Sequence, residues 1–105
     1  MTDTAVTRNN DASRYEITAD GVLAGYAEFE QRPGEIRFTH TEVDHAFQGR
    51  GLAGILAEFA LTDAAASGVS IVPVCPYIAK YLDTHEIPGA EIRLPKRPGN
   101  TIAEA

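Results

Sequence analysis

Tryptophan is missing from this chain, and cysteine appears once, at position 75. A single thiol cannot close an intramolecular disulfide. One Cys and 3 scattered His also fall short of the ligand sets that hold structural zinc, so no metal is expected. Positive charge is scarce: 9 Lys and Arg stand against 15 Asp and Glu, for a formal charge of −6. That balance speaks against a partner bound through a nucleic-acid backbone. No apolar run approaches the ~20 residues that span a bilayer. Residues 1–12 are polar, without the basic start and apolar stretch of a secretory signal. Neither membrane nor export is expected, and the cytoplasm is the expected location.

What remains is an ordinary globular composition, 44% apolar and 23% charged over 105 residues, enough for one domain and one core. Residues 1–12 lack periodicity and residues 95–105 carry few apolar side chains, so both read as loose tails around a domain at 13–94. Within it, Arg14–Ala19 alternates as a strand, and Asp20-Gly21 is a two-residue hairpin signal. Val22–Glu30 follows as a second strand, Arg32-Pro33-Gly34-Glu35 as a turn, and Ile36–Val43 as a third strand rich in β-branched and aromatic residues. The period then changes. Leu52, Ile55, Leu56, Phe59 and Ala60 fall on one stripe of a helix from Gly51 to about Ala66, with Leu61 on the opposite side. Ser67-Gly68 ends it. Val69–Val74 reads as a strand buried on both faces, parallel to the third through a right-handed crossover. A short helix follows from Pro76 to about Thr84, and Ala90–Leu94 reads as an edge strand. The expected fold is α/β: a mixed, mostly antiparallel sheet of four to five strands, a β-α-β crossover and two helices.

The richest segment for chemistry is Asp44 to Ala53. Glycines at 49 and 51 sit where a loop becomes a helix, allowing positive φ and close approach to the backbone. A helix start leaves about four N–H groups unpaired with the positive end of the dipole behind them, which suits phosphate. Arg50 adds a full positive charge. An ordinary glycine-containing loop is the competing reading, and neither GxxxxGK[ST] nor GxGxxG is present.

Three other segments stand out. Pro76 at a helix start makes Cys75 the N-cap, where the dipole favours thiolate. Cys75 is then a nucleophile, a pocket wall or plain core. By strand alternation His40 and Glu42 share a face with Ile36 and Phe38, putting an imidazole at the end of a buried face. It serves as a base or as a hydrogen-bonded structural residue, and Glu42 is a second candidate base. Tyr77 and Tyr81 share a face of the short helix. His45 and His85 read as loop or helix-end residues.

Gln48-Gly49-Arg50-Gly51-Leu52-Ala53 fits the Q/R-x-x-G-x-G/A signature of the GNAT acyltransferases. With His40-Thr41-Glu42-Val43 before it and Cys75-Pro76-Tyr77 after the helix, residues 14–85 resemble small single-domain GNAT-like proteins of the YjdJ type. The resemblance implies acetyl-CoA or CoA as ligand and an N-acetyltransferase acting on an unidentified amine. The alternative is a non-catalytic CoA-binding or protein-interaction module. By the same resemblance Glu42 and Val43 meet the pantetheine arm, the backbone from Gln48 to Ala53 takes the pyrophosphate, and Phe47 belongs to the same cofactor surface. Cys75 lies near the acyl group, and Tyr81 is the positional match for the tyrosine that protonates the departing thiolate. The expected assembly is a monomer or weak homodimer. The acidic surplus favours a cationic acceptor such as a polyamine or a lysine side chain.

Overall fold

The structure, a computed structural model, describes residues 4–93. Its strands are β1 (Thr4–Asn9), β2 (Arg14–Ala19), β3 (Val22–Arg32), β4 (Glu35–Val43), β5 (Ser70–Pro73) and β6 (Glu91–Ile92). Helix α1 (Leu52–Ala66) joins β4 to β5, and α2 (Pro76–Thr84) joins β5 to β6. The strands lie in one sheet in sequence order. β1 to β4 are antiparallel neighbours, while β4–β5 and β5–β6 are parallel. The mixed sheet, the crossover and the two helices agree with expectation, and among the described residues the sheet has six strands rather than four or five.

The added strand is β1, at residues expected to be a loose tail. It pairs with β2 along its whole length. Only Val6 among its core-side residues is a sizeable aliphatic, which is why alternation does not reveal it. Arg8 does the packing instead, with its guanidinium 4.6 Å over the Phe29 ring and 5.4 Å from that of Tyr15. The expected tail after residue 94 lies outside the described residues. The expected edge strand is present as Glu91–Ile92. Asp20 (φ 53) and Gly21 (φ 83) both take left-handed conformations in the β2–β3 turn, as a tight hairpin requires.

Two parallel crossovers advancing in the same direction place both helices on one face of the sheet. Tyr15, Ile17, Phe29, Ile36, Phe38 and Ile71 from the sheet meet Leu56, Ala60 and Leu61 of α1 and Ile78 of α2 in a single core. The stripe on α1 differs from expectation. Leu52, Leu56, Ala57, Ala60, Leu61 and Ala64 are buried, whereas Ile55 and Phe59 are 44% and 42% exposed. Leu61, expected to face outward, is fully buried. The helix is apolar on most sides, so two stripes compete, and the one carrying three alanines lets α1 settle closest to the sheet.

The other face of the sheet is polar. Arg14–Glu16, Arg32–Glu30 and Arg37–Glu35 form ion pairs between residues two apart on one strand, at 2.7, 2.9 and 2.8 Å. Arg14 also lies 4.7 Å over the Tyr26 ring.

Candidate functional site

β4 and β5 part company at the site. Their parallel pairing runs from Glu35↔Ser70 to Phe38↔Pro73. The Cys75 amide then donates to the Phe38 carbonyl at 2.7 Å, and α2 leads the chain away while β4 continues to Val43. At this point β4 carries a bulge. Glu28 pairs with His40 and Phe29 with Phe38, leaving Thr39 as the extra residue. An inserted residue exchanges the two faces of a strand. Thr41 and Val43 therefore follow Ile36 and Phe38 onto the helix side. His40 and Glu42 turn to the open side, with side chains 52% and 58% exposed. This corrects the expectation that they extend the buried face.

On that open side the His40 Nε2 lies 2.9 Å from Glu42 Oε1, and the Tyr26 ring is 6.2 Å away. Burial, and then the Glu42 and Glu28 carboxylates, hold the Tyr26 hydroxyl above the ordinary phenol range.

The loop after β4 is pinned at both ends. Gly25 sits so close beneath β4 that a Cβ there would come within 2.7 Å of the Glu42 carbonyl oxygen. The Asp44 amide donates to the Ala24 carbonyl at 2.7 Å. The Asp44 carboxylate accepts from the Ala46 amide at 2.9 Å, capping a 3-10 turn over His45–Phe47. The Gln48 side-chain amide donates to the Val43 carbonyl at 3.3 Å. Gly49 (φ 86) and Gly51 (φ 74) then make the left-handed steps that start α1. Gly51 is the N-cap and supplies no side-chain hydrogen bond, so the N–H groups of the first turn keep their capacity for an external acceptor.

A cleft of about 350 Å³ joins these parts. Thr41, Glu42 and Val43 line it from β4. Phe47, Gln48, Gly49 and Gly51 line it from the loop, Leu52, Ala53 and Gly54 from α1, and Tyr77 from α2. Most of the expected cofactor residues thus meet on one surface. Arg50 stands beside it, its guanidinium 5.3 Å over the Phe47 ring.

Three of the lining residues are not among the expected site residues. Thr41 is one, and its bulge-driven change of face has no local sequence signal. Gly54 is another, and a wider search of the loop-to-helix glycines would find it. The third is Tyr77, which lines the cleft, whereas Tyr81, one turn on, faces a neighbouring groove between the helices. Burial raises the hydroxyl pKa of both, with Glu58 and Tyr77 adding to the effect at Tyr81.

Cys75 is buried at the α2 N-cap, its Sγ 3.5 Å from the Thr41 hydroxyl. It stands behind the cleft wall rather than at its surface. Among the described residues no group of three or more His, Cys, Asp or Glu is placed to hold a metal ion. Nor is any helix there long and apolar enough to cross a membrane.

Comparisons with known proteins bear on this arrangement. The structure is similar to ribosomal-protein-S18-alanine N-acetyltransferase from Escherichia coli, with a TM-score of 0.53 and 24% identity. That match covers 55% of this chain and 38% of the other, so the chain spans well under half of that enzyme's length. Ribosomal-protein-alanine N-acetyltransferase from Brucella melitensis biovar Abortus 2308 matches at 17% identity and a TM-score of 0.43, over 99% of this chain and 89% of that one. An aminoglycoside N-acetyltransferase solved in complex with CoA matches at 19% identity and a TM-score of 0.36, over 87% and 53%. No curated protein matches. A family model described as GCN5-related N-acetyl-transferase matches residues 14–89, which runs from β2 past α2 and takes in the whole cleft. The chain belongs to the GCN5-related N-acetyltransferase family.

Proposed function

We propose that this chain binds acetyl-CoA in the cleft and transfers the acetyl group to an amine. One observation carries the reading: the stretch of β4 beyond its pairing with β5 and the uncapped start of α1 open onto the same cleft. The first-turn N–H groups and the helix dipole suit the pyrophosphate, and Arg50 adds charge beside them. The edge of β4 from Thr41 to Val43 offers backbone groups to the pantetheine arm. At the Val43 carbonyl, that arm meets the Gln48 side chain already donating.

In the reaction the amine nitrogen attacks the thioester carbonyl, a C–N bond forms and the C–S bond breaks. The amine loses one proton and the departing thiolate gains one. Holding donor and acceptor together supplies most of the rate, and N–H groups freed where the strands part support the oxyanion. Tyr77, which lines the cleft and whose hydroxyl pKa is raised by burial, is better placed than Tyr81 to protonate the thiolate. His40, paired to Glu42, is the base for an amine arriving from the open face of the sheet. The burial of Cys75 behind Thr41 supports a packing role behind the cleft wall over a covalent nucleophile.

Calorimetric titration with acetyl-CoA and with CoA tests the donor half directly. Micromolar binding, about −8 kcal/mol, is expected for both, followed by faster CoA release when an amine is added. Absence of heat with either ligand overturns the reading.

A further inference from the structure

β1 forms one edge of the sheet, and among the described residues no strand pairs with its outer side. It meets β2 in unbroken register from Thr4↔Ala19 to Asn9↔Arg14, so no bulge bends it away. Sheet edges are usually guarded against further pairing by a bulge, a proline or an outward charge. Thr4-Ala5-Val6-Thr7 carries neither proline nor charge. The charge of Arg8 is turned inward, over the Phe29 and Tyr15 rings and 3.6 Å from Asp63. The strand also lies outside residues 14–89 of the family match, and no step of acetyl transfer uses it.

Beside this edge, on the helix side, β1 and α1 form a groove of about 590 Å³. Val6 lines it from the strand, and Ile55 and Phe59 line it from the helix with their apolar side chains partly exposed. Two carboxylates border it, Asp63 and Glu58. Asp63 already accepts from Tyr15 and faces Arg8. Glu58 has no cation paired to it among the described residues.

We propose that this edge and groove bind an extended segment of a partner protein that presents apolar side chains and a lysine or arginine on one face. A strand added to β1 pairs with its outer N–H and C=O groups and sets alternate side chains over the groove. Apolar ones cover Ile55 and Phe59, and a cationic one meets Glu58. Charge decides against a second copy of this chain as the occupant. Two chains at −6 each repel, and a second β1, with its arginine already engaged, would leave Glu58 unmatched. The proposal stands apart from the acetyl-CoA reading.

The probe is a fluorescein-labelled peptide, Thr-Val-Thr-Lys-Thr-Val, whose Val, Lys and Val share one face when extended. By fluorescence anisotropy the full chain is expected to bind it about tenfold more tightly than the same peptide with Glu in place of Lys. Glu58 is exposed, and Glu58→Lys should reverse that preference, which also shows that the variant is folded. Methylating the amides of the Val and Lys residues, or instead those of the Thr residues, gives two further peptides. Only one of them carries its methyl groups towards β1, so one should lose binding and the other keep it. No binding of the parent peptide, equal affinity for the two methylated ones, or an unchanged preference in Glu58→Lys overturns the proposal. Sedimentation of the chain alone as a dimer that Phe59→Ser dissociates gives the face to a second copy and overturns it as well.

Discussion

The two ends of helix α1 are held in opposite ways. Towards its C-terminus it is locked to β1, β2 and β3 by side chains. The buried Tyr15 hydroxyl donates to Asp63 Oδ2 at 2.7 Å and accepts from Arg8 at 3.1 Å. Its pKa is driven far up, first by burial and then by the bond to Asp63. Arg8 also donates to Gln31 across the sheet. Among the described residues no buried side-chain nitrogen or oxygen lacks a partner. At the N-terminal end the side chains withdraw. Glycines set the path, and Gly51 as N-cap offers no side-chain bond to the first-turn N–H groups beside the cleft. The contrast teaches a division of labour along one helix. A side-chain lock at one end supplies stability, so the other end can leave polar backbone unsatisfied for a ligand.

The largest effect expected from breaking the comparison lies at the locked side. Leu61 is fully buried against the sheet, and Leu61→Ala should cost about 3 kcal/mol by removing packed atoms and leaving a cavity. Ile55→Ala, on the same helix but 44% exposed, should cost only about 0.5 kcal/mol. Urea unfolding of both variants gives the comparison. Equal losses would mean the helix seats the stripe centred on Ile55 and Phe59 instead.

A smaller loss is expected where the two regions join. Gly25 lies under β4 with no room for a Cβ: the Glu42 carbonyl oxygen would be 2.7 Å away and the Val43 Cα 3.1 Å. Both neighbours include backbone, which cannot swing aside as a flexible side chain can. Gly25→Ala should therefore cost about 2 kcal/mol through overpacking. It should also displace Val43 and weaken acetyl-CoA binding. Thermal unfolding together with ligand titration checks both parts, and a variant as stable as the wild type would show that the strands do not approach so closely.

How much of this was readable beforehand differs between the same two regions. The β2–β3 hairpin, the loop-to-helix glycines and the crossover follow from residue type and spacing, because turn conformations and helix starts are local. Most of the cleft lining follows too, since the loop supplies it with backbone at consecutive positions. What alternation could not reach is anything decided by a partner strand. The bulge at Thr39 depends on register with β3, and it alone moves His40 and Glu42 to the open face and Thr41 into the cleft. β1 hides for a related reason: an arginine stacked on two rings occupies a place where a hydrophobic residue would have announced a strand. On α1, apolar residues on most sides leave the phase of the helix to the sheet. The choice between Tyr77 and Tyr81 rests on one helical turn, which is finer than spacing can resolve.

A stability effect smaller than that at Gly25 is expected at Gly51, and it sharpens the comparison most. A Cβ added there meets nothing within 4 Å, so the site has room, and the strain comes only from φ at +74°. Gly51→Ala should thus cost about 1 kcal/mol of folding stability. The methyl group would nonetheless stand on the surface where the pyrophosphate must approach the backbone. CoA affinity should fall about tenfold, equivalent to about 1.4 kcal/mol. Leu61→Ala should behave in reverse, losing more stability but binding CoA with near wild-type affinity wherever it remains folded. If Gly51→Ala binds CoA as tightly as the wild type, the start of α1 is not the phosphate site. The open end of the helix would then need another explanation than ligand binding.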